Sequence, residues 1–258
     1  MLKRFGKREK FLALSFLLSL IFFINYFIPR GFWPVSTVLA FLLQIAGLYS
    51  LFKLERNSRD LVSLIPPLLF CLSIGFVQYL FPCIPIWFKA VFLLGSFFCF
   101  YLILLVLNIF LVVRRKGEIL LLRPAKTALF LLTVLIFFLG SSVLLKGITF
   151  FSLQLVFLVL LSFALGSSLL FFFQVGERIS TPVILASFLI SFLVAQNFIS
   201  LSFFPQKSFF RALSLTAAFY AFLGVGEVYL SHRLERKIAS DFFFIFAFGL
   251  VLFFVFPQ

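Results

Sequence analysis

Apolar runs of span length alternate with short polar gaps along the whole chain, and runs of that length predict helices rather than strands. A helix needs about 20 apolar residues, within a range of about 17–25, to cross the hydrocarbon core of a bilayer. Nine runs meet or approach that length: 11–29, 36–52, 61–81, 88–113, 127–145, 150–173, 182–203, 210–230 and 242–256. The last is the shortest, and eight crossings result if it does not span. The fourth and sixth are long enough to tilt. The predicted fold is all-α: a polytopic transmembrane helical bundle of about nine spans, forming one integral membrane domain over 1–258. The longest gap, 114–126, leaves no room for a soluble domain.

The polar gaps also carry an orientation. Of the 22 Lys and Arg residues, 17 fall in the N-terminal tail and in alternate gaps. Lys3, Arg4, Lys7, Arg8 and Lys10 precede the first run; Lys53, Arg56 and Arg59 follow the second; Arg114, Arg115, Lys116, Arg123 and Lys126 follow the fourth. Arg178 follows the sixth, and Arg233, Arg236 and Lys237 follow the eighth. The other side has Arg30, Lys89, Lys146, Lys207 and Arg211. An excess of basic residues marks cytoplasmic loops, so the N-terminus is expected in the cytoplasm.

Local signals agree with these limits. Trp33 and Trp87 fall at predicted outer boundaries, where amphipathic rings favour the headgroup layer. Asp60, the run Ser180-Thr181-Pro182, and Asp241 supply capping chemistry before the third, seventh and ninth runs. Pro66-Pro67 is expected to bend the third helix. The Ile119–Leu122 patch between basic residues is expected on the inner membrane surface. The first run reads as an uncleaved span, since it is long for a signal peptide and no small-residue cleavage site follows it. No Asn-x-Ser/Thr sequon occurs. Short loops and missing sequons suit a bacterial cytoplasmic membrane.

Composition sharpens the picture. The chain is 64% hydrophobic and 12% charged, far from soluble usage. Its net charge of +14 sits at the ends of apolar runs. That charge suits anionic lipid headgroups on the cytoplasmic side and does not suggest nucleic acid. Phe supplies 45 of 258 residues, either as bulky lipid-compatible filler or as the lining of a path for an apolar ligand. Cys71, Cys83 and Cys99 have no metal or redox spacing, and no cofactor or metal is expected.

Candidate chemistry is sparse. All eight carboxylates, Glu9, Glu55, Asp60, Glu118, Glu177, Glu227, Glu235 and Asp241, map to the cytoplasmic side. Enzymes that use lipid-linked sugars usually need an outward carboxylate, and CDP-alcohol phosphotransferases and prenyltransferases need clustered aspartates for Mg²⁺. Neither arrangement is present, because Asp60 and Asp241 are the only aspartates. Glu227 lies inside the eighth run near its cytoplasmic end, and ionisable groups in spans are costly. Glu177 occupies the equivalent place after the sixth run, because Leu165–Glu177 resembles Leu215–Glu227 at an offset of 50 residues. Repeated hairpins recur in transporters. With Arg178, Arg233 and the lone His232, these carboxylates form the candidate cytoplasmic site.

Among neutral polar residues, Gln44 is nearly central in its run, and Asn108, Gln154, Gln196 and Asn197 lie nearer the ends of theirs. Gln44, Gln196 and Asn197 are the candidate lining of a substrate path. Gly140-Ser141-Ser142 and Gly166-Ser167-Ser168 read as close-packing sites. Three functions follow in order of preference. The first is a non-enzymatic membrane subunit or assembly factor with a membrane protein partner. The second is a transporter or flippase for a small or lipid-like substrate. The third is a membrane enzyme acting at the cytoplasmic face through Glu177, Glu227 and His232.

Overall fold

A bilayer core offers no water to satisfy backbone groups, so an apolar run must close its hydrogen bonds within itself, which a helix does. The computed structural model describes residues 7–25, 27, 32–52, 62–80, 86–116, 122–174, 180–204, 206–230 and 236–255. Among these residues the chain forms nine helices. They are α1 (Lys7–Ile24), α2 (Trp33–Phe52), α3 (Ile65–Leu80), α4 (Ile86–Lys116), α5 (Leu122–Gly147), α6 (Phe151–Gln174), α7 (Thr181–Ser202), α8 (Ser208–Leu230) and α9 (Arg236–Val255). Each apolar run became one helix. Six, namely α2 and α4 to α8, are long and apolar enough to cross a membrane. α1 begins with four charged residues, α3 has 16 residues, and the apolar part of α9 is Ser240–Val255.

The helices group into two compact units, Met1–Leu132 and Thr133–Gln258, with the boundary inside α5. In the first unit α1 packs on α2 and α4, α2 on α3, and α3 on α4. Phe100 is central there. Its ring stacks on Phe22 at 6.2 Å and meets Phe70 edge-on at 4.8 Å. In the second unit α6 packs on α7, α7 on α8, and α8 on both α6 and α9. Phe137 of α5 stacks on Phe219 of α8 at 4.1 Å, and Phe151 stacks on Phe198 at 5.2 Å. Such ring pairs contribute about 0.5–1.5 kcal/mol beyond area burial. The buried phenylalanines thus act as helix-to-helix filler.

Small residues set the closest approaches. A Cβ on Gly249 of α9 would collide with Ala217 of α8, and one on Gly224 of α8 with the ring of Phe242. Gly166 of α6 is looser: a Cβ there would meet Ser187 of α7 at 3.9 Å, an ordinary contact. Most of the serines and threonines around these seams return their hydroxyl to their own helix. Ser168 donates to the Leu165 carbonyl, Ser187 to Val183, and Ser142 to Phe138. The hydroxyl is then silent and the residue packs as a small one.

The structure corrects several local expectations. Pro66-Pro67 does not bend the interior of a helix; it lies in the first turn of α3, where a missing N–H costs nothing. Asp241 lies inside α9, one turn past its start, and is exposed. Ser180 is the N-cap of α7, but its hydroxyl donates to Oε1 of Gln174 at 2.7 Å and leaves the helix N–H groups uncapped. Trp33 is only 5% exposed and packs edge-on against Tyr79 at 6.1 Å, so it is a packing residue. Trp87 is 66% exposed at the start of α4, as a headgroup ring would be. Asp60 and Ile119–Leu121 lie outside the described residues.

Candidate functional site

The first unit carries a polar seam between α2 and α3. Trp33 meets Tyr79, Thr37 faces Gly75, and Gln44 faces Pro67, so the antiparallel register runs unbroken over three turns. Gln44 is fully buried, and its Nε2 donates to the Pro67 carbonyl at 2.9 Å. Its Oε1 is buried without a hydrogen-bond partner. A second knot ties α1 to α3 near their C-terminal ends. Gln78 Nε2 donates to the Phe22 carbonyl at 2.8 Å, and Asn25 Nδ2 donates to Gln78 Oε1 at 3.4 Å. Both side chains are buried, and Asn25 Oδ1 has no partner. Composition did not single out Asn25 and Gln78. Their signal was a pair of amides just inside the ends of runs 11–29 and 61–81.

In the second unit Gln196 and Asn197 are neighbours on α7, about 100° apart around the helix. Gln196 is exposed, whereas Asn197 is half-buried with its Nδ2 buried and without a hydrogen-bond partner. Gln154 is turned to local use, since its Nε2 donates to the Ile148 carbonyl at 2.5 Å and ties the start of α6 to the end of α5. At the start of α8, Arg211 donates to the Phe204 and Gln206 carbonyls at 3.2 and 3.5 Å and closes the α7–α8 connection.

Of the candidate cytoplasmic residues, Glu227 is half-buried, three positions before the end of α8. Neighbouring helices approach closely just before it in sequence: Phe242 at Gly224, and Ile190 Cδ1 at 3.1 Å from a Cβ on Gly226. Glu177, Arg178, His232 and Arg233 lie outside the described residues. Both stretches of the 50-residue similarity lie on the first helix of a packed pair, α6 on α7 and α8 on α9, but the contacts described differ in register, Gly166 meeting Ser187 and Ala217 meeting Gly249. Among the described residues no three His, Cys, Asp or Glu side chains cluster as a metal site.

Comparison of the chain with protein-family models, curated proteins and solved structures found no match. Its helices alone make it a candidate multi-pass membrane protein.

Proposed function

We propose that this chain is a multi-pass membrane protein that crosses a cell membrane nine times as one integral domain, with its N-terminus in the cytoplasm. It acts as a membrane subunit or assembly factor bound to a membrane protein partner, without chemistry of its own. The bacterial cytoplasmic membrane is the setting that the short loops and missing sequons favour. α3 is about 24 Å long at 1.5 Å per residue, and local bilayer thinning accommodates a span of that length.

One observation carries the functional reading. Every buried polar residue described is Ser, Thr, Asn or Gln. Most of those side chains bond their own helix or the next one. The bonds between helices, as from Gln44 and Gln78, fix packing at about 0.6 kcal/mol each, and the others only silence a hydroxyl. Ion coupling and acid–base catalysis call for ionisable groups in the interior. The test is purification of the tagged chain from native membranes in mild detergent, with mass spectrometry of what accompanies it. A stoichiometric membrane protein supports the reading. A chain that comes alone with one enriched metabolite overturns it.

A second reading, a transporter or flippase, draws on the unpartnered amide oxygens of Asn25 and Gln44. Buried acceptors of this kind usually hold water or a ligand. Cysteines placed at 44, 196 and 197 that all resist a membrane-impermeant thiol reagent would remove an outward-open path.

A further inference from the structure

In the first unit, the N-terminal half of α1 and the C-terminal end of α2 leave a groove of about 610 Å³ between them. Its length is apolar, formed by Leu12, Ala13, Leu14 and Leu17 of α1 with Gly47 and Leu51 of α2. Leu12 and Leu17 are exposed, so the groove opens sideways toward the lipid. Its mouth carries Glu9, Lys10 and Ser50. Arg8 is exposed beside it, and the first ten residues hold five Lys or Arg against one Glu. Gly47 lets Leu14 seat directly on α2 in the wall of the groove: a Cβ there would lie 2.7 Å from Cδ2 of Leu14.

We infer that this groove seats one acyl chain of an anionic phospholipid, with the headgroup at Lys10 and Arg8, in the leaflet that holds the N-terminus. The volume lies within the about 300–1,000 Å³ of ordinary ligand sites, which are likewise mostly apolar with a few placed polar groups. Charge complementarity selects the headgroup. A zwitterionic lipid would fill the groove equally well but would bring no net negative charge to Lys10 and Arg8. The inference needs the membrane reading and is independent of the subunit reading.

The test is native mass spectrometry of the full chain, extracted in detergent and equilibrated with equal phosphatidylglycerol and phosphatidylcholine. One phosphatidylglycerol retained in preference to phosphatidylcholine is the expected result. Arg8→Gln with Lys10→Gln is expected to lower that preference about fivefold per charge removed. Glu9→Gln is expected to raise it. Ala13→Trp, on the exposed wall, fills the groove without changing the charge and is expected to abolish stoichiometric retention. If Ala13→Trp retains the lipid as the native chain does, the basic tail alone attracts it and the groove seat is refuted. Equal retention of the two lipids by the native chain refutes it as well. Helicity by circular dichroism and a single size-exclusion peak accompany each variant. A chain that stays in solution without detergent sinks the membrane reading instead.

Discussion

Replacing Gly75 by alanine tests the α2–α3 seam most directly. A Cβ at this buried position would lie 2.7 Å from Oγ1 of Thr37 and 3.1 Å from its Cβ, and closer still to Cγ2. Comfortable carbon contacts are about 3.5–4.0 Å, so the overlap is real. Thr37 is poorly able to turn away. It is β-branched, and its hydroxyl is held by the Trp33 carbonyl at 2.9 Å. The helices must therefore separate, loosening the Trp33–Tyr79 and Gln44–Pro67 contacts that flank the site. Overpacking of this kind costs about 1–3 kcal/mol, and alanine regains about 1 kcal/mol of helix propensity. The overlap with a pinned Thr37 puts the cost in the upper half of that range, so the net expectation is a loss of about 1–2 kcal/mol. Thr37→Ala removes the obstructing atoms, so the double variant should recover most of the loss, with a coupling within about 0.5–3 kcal/mol. The assay is unfolding in mixed micelles of rising sodium dodecyl sulfate content, followed by Trp33 fluorescence in a Trp87→Phe background. A Gly75→Ala chain as stable as the parent would refute the reasoning. So would strict additivity with Thr37→Ala.

Four further outcomes are expected. Gln78→Leu leaves both Asn25 polar atoms buried without a partner and should cost about 1–3 kcal/mol in the same assay. Gln44→Leu should cost only about 0.6 kcal/mol, because it removes an unpartnered acceptor together with one hydrogen bond; a larger loss would show that Oε1 holds a bound molecule. Gly249→Ala should cost about 1–2 kcal/mol in the same assay, because its Cβ would collide with that of Ala217, and Ala217→Gly beside it should restore most of the loss. Glu227→Gln should leave protein level and partner recovery unchanged, and loss of either would return Glu227 to the site residues.

The helices were legible because lipid makes the link from run length to structure nearly obligatory. Each of the nine apolar runs became a helix, with ends displaced by a few residues where charged or proline residues extend or open a first turn, as at Lys7 and Pro66. The close-packing reading of Gly166-Ser167-Ser168 was less secure, since a Cβ on Gly166 would stand 3.9 Å from Ser187 in ordinary contact, whereas Gly75 and Gly249, not singled out by their runs, make the tight approaches. The candidate path residues were less legible. Gln196 and Asn197 differ by one position, yet one is exposed and the other half-buried. A helix that is apolar all round carries no stripe to say which side faces its neighbours.

By itself, then, the sequence determined the nine helices of the described residues and their approximate limits, because a long apolar run closes its backbone hydrogen bonds most simply within a helix. Only the tertiary structure decided that Gln44 bonds Pro67, that Asn25 and Gln78 knot α1 to α3, and that Gly249 receives Ala217. Those pairings depend on the rotation and register of helices about one another. Rotation and register are set by side-chain shape across many contacts at once, and no single run of residues encodes them.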